Sequence, residues 1–577
     1  MDVTPYLDLT PAPQAVFDHL PQRRTRVRFM LPDGDGDWVG MTWQAFADQI
    51  RHLGQYLLHQ GIRPGDRIAI FAPNSVEWIS AALATQAIGA VMVPIYGTST
   101  ADQAAYVLDH SGARILFTDT DALLRRALKA LPACDHLQRL VALSDGVDPL
   151  STLIDLQESS DEAPPLDVLE TQITGIDRAI ALGKALDDRH PQRFDDALQD
   201  LDLDQAALML YTSGTTGKPK GVPLTHRNVA TNGRDWMEIN GPQIDDHPVD
   251  LLWLPLSHVF GFGEACLGNT LGFTTYMSDP ASVLGQMESV RPSIFMSVPR
   301  YFEKLVEAAD EQGQTRQETI ERLQAITGGN LQFCLSGGAG LSREVKDIFY
   351  DAGMLIIEGY GLTEASPTLT LNRPDDFDFN TVGKPLPSVE LKLADDGEIL
   401  ARGDNIFDGY HKNPSATADT FTDDGWLKTG DLGEWTDDGF LKIIGRKKDI
   451  LVTAAGKNIS PKKIEAHFAD EPYIEHFVVY GDGKKYLTAG VWPNLQALQD
   501  ELGKRPDDQA IRRLIEPRIE AINDDLARYQ TIKNFALFPD RPLTVDNGLL
   551  TPTLKVKRKR VYDAFDQALE ALYKEES

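Results

Sequence analysis

The segment Tyr211-Thr-Ser-Gly-Thr-Thr-Gly-Lys-Pro-Lys-Gly-Val222 places glycines, Ser and Thr hydroxyls and two lysines directly after an apolar run. Glycines let backbone N–H groups turn toward an anion, hydroxyls add donors, and lysines add positive charge. The spacing is not that of a Walker loop, because only two residues separate Gly214 from Gly217 and Pro219 follows Lys218. The segment therefore predicts a different polyphosphate loop, with a flexible surface turn as the alternative.

Strand and helix patterns alternate on both sides of this loop. Residues 42–59 and 76–88 have helical length, and Asn74 and Ser75 are candidate N-caps of the second helix. Apolar runs typical of buried strands stand at 67–72, 91–95, 115–118, 208–211, 251–254 and 294–298. This alternation indicates an α/β fold with mainly parallel sheets. The acidic, poorly patterned stretch 149–204 is predicted to be a variable surface excursion.

The sequence changes character after about residue 440. A charged connector, Gly445-Arg-Lys-Lys-Asp-Ile450, is followed by a shorter strand-and-helix region. A chain of 577 residues exceeds what one hydrophobic core supports. We therefore predict a large N-terminal domain of several subdomains at 1–446 and a small α+β C-terminal domain at 447–577.

Composition narrows the function classes. Hydrophobic residues make up 42% and charged residues 25%, which is ordinary globular usage. No stretch approaches the roughly 20 apolar residues of a membrane helix, and residues 1–20 do not read as a secretory signal. Three cysteines without metal or redox spacing favour a reducing, cytoplasmic setting. The net charge of −30 disfavours nucleic acid and anionic membrane as partners of the whole surface, although residues 555–560 form a basic run.

Five further blocks carry chemically informative residues. In chain order they are Leu254-Pro-Leu-Ser-His-Val-Phe-Gly261, Ser336-Gly-Gly-Ala-Gly340, Glu358-Gly-Tyr-Gly-Leu-Thr-Glu364, Thr429-Gly-Asp431 with Gly445-Arg-Lys-Lys-Asp449, and Asn547-Gly-Leu-Leu-Thr-Pro-Thr-Leu-Lys-Val-Lys-Arg558. Tyr360 offers an aromatic face, and Glu364 is a hard oxygen ligand of the kind that Mg²⁺ uses together with substrate phosphates. Taken singly, His258, Tyr360 and Glu364 each have an ordinary structural explanation.

Together with the loop at 211–222, these blocks resemble, in the same order, the motifs of the adenylate-forming superfamily of acyl-CoA synthetases, luciferases and peptide-synthetase adenylation domains. The resemblance spans about residues 40 to 560. It implies an N-terminal domain that binds ATP and the acyl group, and a mobile C-terminal domain that carries a catalytic lysine. The form of the last block and the insertion at 149–204 resemble the long-chain fatty acid–CoA ligase type.

The resemblance also implies a nucleotide site. Its residues are Thr212, Ser213, Gly214, Thr215, Thr216, Gly217, Lys218, Gly337, Gly338, Ala339, Gly359, Tyr360, Gly361, Asp431 and Arg446, with Gly456 leaving space for the pantetheine arm of coenzyme A. In this assignment Tyr360 lies against adenine and Asp431 accepts hydrogen bonds from the ribose hydroxyls.

The implied catalytic residues are Lys555, Thr363, Glu364 and His258. Thr363 would meet the α-phosphate, Glu364 and Thr212 would hold Mg²⁺, and His258 would lie beside the carboxylate being activated. Lys448 falls at the hinge position of the family. Leu554 stands where other branches have a glycine before the lysine, so Lys557 is the alternative catalytic lysine.

The implied reaction activates a medium- or long-chain fatty acid with ATP and transfers the acyl group to coenzyme A. ATP, Mg²⁺ and coenzyme A are the expected cofactors, and no nucleic acid is expected. A fatty acyl-AMP ligase serving a carrier protein and an inactive nucleotide-binding scaffold are the alternatives. An amino-acid adenylation domain is disfavoured, because no Asp follows closely after His258.

The glycines of 260–273 would either leave room for an acyl chain or permit close helix packing. Chain length, oligomeric state and peripheral contact with the inner face of the membrane stay open.

Overall fold

The computed structural model describes residues 1–34, 36–130, 134–144, 151–152, 154–155, 173–212, 218–310, 315–454, 457–468, 471–503, 506–551 and 555–573. Its α-helices are Ala12–Arg23, Trp43–His59, Val76–Ala87, Ala101–Ser111, Asp121–Ala130, Ile176–Asp187, Gln192–Gln199, His226–Asn240, Val259–Leu271, Val283–Val290, Pro299–Ala309, Arg316–Ile326, Arg343–Asp351, Pro414–Thr420, Pro461–Ala466, Leu495–Leu502, Asp508–Asp525 and Arg558–Ala571. Short 3₁₀ helices cover Thr4–Tyr6, Gly241–Gln243 and Thr363–Ala365.

The strands are numbered β1 to β25 in chain order. They are Val27–Pro32, Trp38–Thr42, Arg67–Phe71, Val91–Pro94, Ala113–Thr118, Arg139–Ala142, Ile173–Gly175, Ala206–Thr212, Lys220–Thr225, Val249–Leu252, Thr274–Met277, Ile294–Ser297, Phe333–Ser336, Leu355–Gly361, Thr368–Leu371, Lys384–Pro385, Val389–Leu393, Glu398–Gly403, Leu427–Trp435, Leu441–Arg446, Leu451–Val452, Asn458–Ile459, Ile474–Tyr480, Leu487–Pro493 and Ile532–Leu537.

Two large sheets form most of the N-terminal region. One has the strand order β7-β6-β5-β3-β4-β8-β9 and is parallel up to the antiparallel β8–β9 pair. The other has the order β16-β15-β14-β13-β12-β10-β11-β1-β2, with antiparallel pairs at its two ends. An antiparallel sheet, β17-β18-β19-β20, follows. The predicted α/β class with mainly parallel sheets is confirmed.

Hydroxyl caps set the starts of the first two predicted helices. Thr42 accepts the Ala45 N–H at 3.2 Å, and Ser75 accepts the Trp78 N–H at 3.0 Å, so Ser75 rather than Asn74 is the cap of the second helix. Trp78 is fully buried in a core that also contains residues of both large sheets. Burying these helices between the sheets therefore joins the two halves of the N-terminal region.

The stretch 149–204 differs from its prediction where the structure describes it. Residues 173–175 add a strand to the edge of the seven-stranded sheet, and the two helices that follow pack on Trp43–His59. Phe194 is fully buried, and Arg51 pairs with Asp187 at 2.8 Å and with Asp195 at 2.6 Å. The prediction of a surface excursion was wrong for this part, because acidic side chains that pair with Arg51 obscure the few apolar positions facing the core.

The C-terminal region closes on cores of its own. It contains the two-stranded β21–β22 ribbon and a three-stranded sheet of order β23-β24-β25. One core gathers residues between Leu451 and Phe535, and another gathers residues between Val478 and Leu569. In the part of the chain that the structure describes, the two N-terminal cores contain no buried residue beyond Leu427. Within the described residues, no helix has the length and apolar character required to cross a bilayer.

Candidate active site

The glycine-rich loop joins β8 to β9. Its ends are paired across the sheet, with Thr212 opposite Lys220. Lys218 Nζ lies 5.1 Å from the ring centroid of Tyr106, and the Tyr106 hydroxyl donates to Pro219 O at 3.0 Å. A tyrosine of the Ala101–Ser111 helix therefore holds the outgoing end of the loop. Ser213, Gly214, Thr215, Thr216 and Gly217 lie outside the described residues, so their predicted roles stay predictions.

Glu364 lies close to the outgoing end of the same hairpin. It directly follows Thr363 in the 3₁₀ helix after β14, and its Oε1 accepts a hydrogen bond from the Tyr410 hydroxyl at 2.8 Å. Lys220 Nζ lies 3.7 Å from the centroid of the Tyr410 ring. Burial lowers the pKa of Lys220, and the charge of Glu364 opposes that shift. The sequence predicted Lys220 only as one of the two lysines that add positive charge to the glycine-rich segment, and Tyr410 was not predicted as a site residue.

Gly359 and Gly361 allow β14 and the following chain to approach closely. A Cβ at Gly361 would lie 1.8 Å from Pro367 O, and one at Gly359 would lie 3.0 Å from Thr370 O. A side chain at Gly361 would therefore force the backbone apart. This packing requirement explains both glycines, and their predicted contact with a nucleotide stays a prediction.

Asp431 is firmly held at the centre of the candidate site. It is 4% exposed, its Oδ2 accepts the Tyr360 hydroxyl at 2.7 Å, and its Oδ1 pairs with Arg446 Nε at 2.8 Å. Burial raises the pKa of Asp431, and the Arg446 charge opposes the rise. Tyr360, Asp431 and Arg446 come from β14, β19 and β20, so residues predicted from three separate motifs meet in one cluster.

His258 is the N-cap of the Val259–Leu271 helix. Its Nδ1 accepts the Phe260 N–H at 3.2 Å. Burial lowers the pKa of His258 to about 4, and the charge of Lys555 adds to the effect. The imidazole is therefore neutral at pH 7, with its proton on Nε2, because Nδ1 acts as the acceptor.

Asn74 fixes the chain that leads to His258. Its Nδ2 donates to the carbonyls of Trp253 at 3.2 Å and Leu254 at 2.8 Å, and its Oδ1 accepts the Leu256 N–H at 2.9 Å. One amide side chain thus satisfies three backbone groups of this segment. The sequence indicated Asn74 only as a helix cap, and its true partners lie about 180 positions further along the chain.

Some glycines of the Val259–Leu271 helix permit close packing, and another borders open space. These are the two explanations that the sequence left open. A Cβ at Gly261 would lie 2.5 Å from Pro255 O, and one at Gly268 would lie 2.7 Å from the buried Arg28 guanidinium, so these two permit close packing. A Cβ at Gly263 would meet no described heavy atom within 4 Å. Gly263 is therefore the helix position that borders open space, as the prediction of room for an acyl chain requires.

The loop of Gly337, Gly338 and Ala339 follows β13 and lies against the start of this helix. A Cβ at Gly337 would be 3.2 Å from the Phe260 ring, and the Gly337 N–H donates to Ser297 O at 3.2 Å. Gly338 has a φ of 86°, a left-handed conformation that favours glycine. The loop predicted to face adenine is therefore close to Phe260, two positions after the His258 cap.

Lys555 enters from the C-terminal region. Its N–H donates to Thr551 Oγ1 at 3.0 Å, and its carbonyl accepts the Thr551 N–H at 2.8 Å. Partial desolvation and the charges of Lys462 and Arg446 lower the pKa of Lys555, although its side chain reaches solvent, while Asp431 opposes the shift. The charge that acts on Lys557 is instead that of Arg560 in the following helix. Electrostatic contact with the Asp431 cluster thus favours Lys555 over Lys557 as the lysine of the site.

Lys448 is exposed in the turn between β20 and β21. In that turn the N–H groups of Asp449 and Ile450 both reach Arg446 O, at 3.0 and 3.1 Å. The hinge role of Lys448 stays a prediction, and Gly456 lies outside the described residues.

No cluster of three or more His, Cys, Asp or Glu side chains that could hold a metal occurs in the described part of the chain. Mg²⁺ commonly binds through one or two carboxylates together with substrate phosphates, and Glu364 is a carboxylate of that kind.

The chain is similar to known proteins over most of its length. Residues 17–411 match the family described as AMP-binding enzyme, and residues 448–577 match the AMP-binding enzyme C-terminal domain. Long-chain-fatty-acid–CoA ligase FadD15 of Mycobacterium bovis is 33% identical over 94% of both chains. Long-chain-fatty-acid–CoA ligase 1 of Homo sapiens is 28% identical over 94% of this chain and 83% of that protein. The adenylation domain of a carboxylate reductase from Mycobacterium chelonae has the same fold, with a TM-score of 0.80 at 23% identity over 98% of this chain and 91% of that chain.

Proposed function

The chain belongs to the AMP-binding enzyme family, and on that premise we propose that it is a long-chain fatty acid–CoA ligase. It uses ATP to convert a fatty acid to acyl-AMP with release of pyrophosphate, and then transfers the acyl group to coenzyme A with release of AMP. The observation that carries the proposal is the Tyr360–Asp431–Arg446 cluster, in which residues of separate motifs meet, and the charges of Asp431 and Arg446 also act on the pKa of Lys555 from the C-terminal region.

Adenylation requires two anions to meet. A carboxylate oxygen attacks the α-phosphorus of ATP while the bond to the bridging oxygen of the β-phosphate breaks. The barrier is therefore governed by positioning and by compensation of negative charge. Lys555 supplies positive charge beside the nucleotide, Lys218 and Lys220 supply it at the phosphate loop, and Asp431 receives the ribose hydroxyls.

The neutral His258 orients the acid. Its Nε2–H is free of the capping hydrogen bond, which uses Nδ1, and donates to one oxygen of the fatty carboxylate. The other oxygen then faces the α-phosphorus, where Thr363 adds a hydroxyl donor. The acyl chain runs past Gly263, where the helix leaves room.

Glu364 and Thr212 are the proposed ligands of Mg²⁺. One carboxylate and one hydroxyl, completed by phosphate oxygens, form an all-oxygen set that suits this ion. When bound, Mg²⁺ neutralises charge on the phosphates. The Tyr410 hydroxyl bond to Glu364 Oε1 orients the carboxylate for this role.

Thioester formation needs a path for a thiol. In the proposed second half-reaction the C-terminal domain turns about Lys448 and brings the segment 453–458, with Gly456, to the adenylate. The sulfur attacks the acyl carbonyl carbon, the bond to the AMP oxygen breaks, and AMP leaves. We propose a cytoplasmic setting for this chemistry, because Cys134, Cys266 and Cys334 are all free thiols.

An ATP–pyrophosphate exchange assay over acids from acetate to oleate, with and without coenzyme A, tests the proposal. We expect exchange to be strongest with medium or long chains, and thioester to form when coenzyme A is added. Adenylate without thioester would favour a ligase that serves a carrier protein. Exchange driven best by an amino acid would overturn the substrate class, and absence of exchange with every acid would favour a scaffold.

A further inference from the structure

Glu358 is a buried carboxylate that the reaction described above leaves unused. It lies in β14, two residues before Tyr360, and its Cα is paired with that of Ser336 in the parallel strand β13. The residue is 5% exposed. Burial raises its pKa, and the nearby charge of Lys346 opposes the rise.

The two oxygens of Glu358 have different partners. Oε1 accepts the Leu341 N–H at 2.8 Å. Oε2 accepts a hydrogen bond from Nζ of Lys346, which belongs to the Arg343–Asp351 helix. Lys346 is 2% exposed. The same Nζ also donates to Phe379 O. The pair thus ties a strand, a helix and two loops together.

These contacts join the two walls of the candidate adenine site. Leu341 directly follows Gly340, the end of the 336–340 loop, and Glu358 directly precedes the Gly359–Tyr360 pair. The far end of the loop is therefore joined to the strand that carries Tyr360 by the Leu341–Glu358 hydrogen bond, in addition to the pairing of β13 with β14 at Ser336. A change of this bond alters the width of the site without touching any phosphate-binding residue.

A buried ion pair is a poor source of stability, because the cost of desolvating two charges offsets their attraction, and apolar residues of similar volume often do as well. The placement of Lys346 and Glu358 therefore calls for a positional explanation. We propose that Glu358, held by Lys346, is a positioning residue for the nucleotide, which sets the spacing between the 336–340 loop and Tyr360 and so the selectivity for an adenine base. This inference rests on the proposed function.

Two double variants separate the hydrogen bond from the ion pair. K346M/E358Q removes both charges but keeps an acceptor for the Leu341 N–H, whereas K346M/E358M removes both charges and the acceptor. The two replacement side chains at position 358 are close in size. A single E358Q change would leave the Lys346 ammonium buried without its partner and risks unfolding, so it is not used.

We expect K346M/E358M to raise the KM for ATP about 10-fold relative to K346M/E358Q, the effect of one buried N–H left without an acceptor. The KM for the fatty acid should stay the same in both, and the preference for ATP over GTP should fall in the methionine variant. Initial rates of pyrophosphate exchange and thermal melting curves supply the readouts. R343Q, which breaks an exposed pair with Asp347 on the same helix, is the control and should change neither KM by more than about 2-fold.

Equal KM values for ATP in the two double variants would overturn the inference, as would a matched loss in the KM for ATP, the KM for the fatty acid and the melting temperature. The outcome is separable from that of the proposed function. If the wild-type protein shows no exchange with any fatty acid, the function fails. If the wild type is active and the double variants do not differ, the positioning role alone fails.

Discussion

Asp431 and Lys555 are both proposed to contact the nucleotide, but they are held in opposite ways. The carboxylate of Asp431 is fixed by side chains from two other strands, through bonds of 2.7 and 2.8 Å to Tyr360 and Arg446. Lys555 is held through backbone bonds to Thr551, and its nearest charges include the repelling cations Lys462 and Arg446. The proposed ribose contact is therefore preformed, whereas we expect Lys555 to gain a counter-charge only when an anion binds.

The largest effect is expected for Lys555→Ala, which removes the proposed positive charge from the site. We expect adenylate formation to fall about 100- to 1,000-fold, as on loss of one electrostatic contact in the transition state. Thioester formation from supplied acyl-AMP should be much less affected. Both half-reactions are measured separately, with Lys557→Ala as the control from the same basic run. Equal loss of the two half-reactions in Lys555→Ala, or a larger loss in the control, would refute the assignment.

Asp431→Asn tests the preformed contacts of Asp431 with Tyr360 and Arg446. The amide keeps an acceptor for the Tyr360 hydroxyl but loses the charge that pairs with Arg446, so we expect the KM for ATP to rise about 10- to 100-fold. Glu390→Gln breaks an exposed ion pair with Arg402 in the same antiparallel sheet and should leave that KM unchanged. An unchanged KM in Asp431→Asn would mean that the ribose does not bind there.

Tyr410→Phe tests a weaker contact, the hydrogen bond from the Tyr410 hydroxyl to Glu364. The ring beneath Lys220 is retained and the hydroxyl bond to Glu364 is lost, so we expect the Mg²⁺ concentration for half-maximal exchange to rise about 5- to 10-fold. The measurement is a magnesium titration at saturating ATP. Tyr529→Phe, at a 49% exposed tyrosine, is the control. A response equal to the control would remove Tyr410 from the metal site.

The smallest effect is expected in the pH dependence of His258. Its pKa of about 4 keeps the ring neutral from pH 6 to 8, so His258→Asn should lower the rate without altering the shape of the pH profile in that range. Asn is also a good N-cap, which preserves the helix start. A profile that changes shape in the variant would show that His258 titrates during turnover.

The same residue has a predictable effect on stability. Because the folded pKa lies below the unfolded value of about 6.5, the unfolded chain binds more protons between those two values. The free energy of unfolding should therefore fall as pH drops from 6.5 toward 4, and less so in His258→Asn. Urea denaturation at pH 7 and pH 5 measures the difference, and identical pH dependence of the two proteins would contradict it.

The sequence predicted the parts of the molecule that depend on local pattern or on motif order. The helices at 42–59 and 76–88 follow from periodicity and hydroxyl caps, and the meeting of Tyr360, Asp431 and Arg446 follows from a resemblance that spans the chain. The contacts of Asn74 and Tyr410 could not be predicted, because their partners are distant in sequence and an amide or a hydroxyl carries no periodic signal. The helices within 176–199 were missed for another reason. Their charged residues outnumber the few apolar residues that face the core.

The separation of the hydrophobic cores has a consequence for how the protein withstands heat. Buried side chains up to Leu427 and those from Leu451 onward belong to different clusters, so among the described residues the hydrophobic core of one part does not include side chains of the other. Each part should also lose its structure in its own cooperative step. Calorimetry should therefore record two melting transitions, and a substrate that binds both parts should draw them together into one.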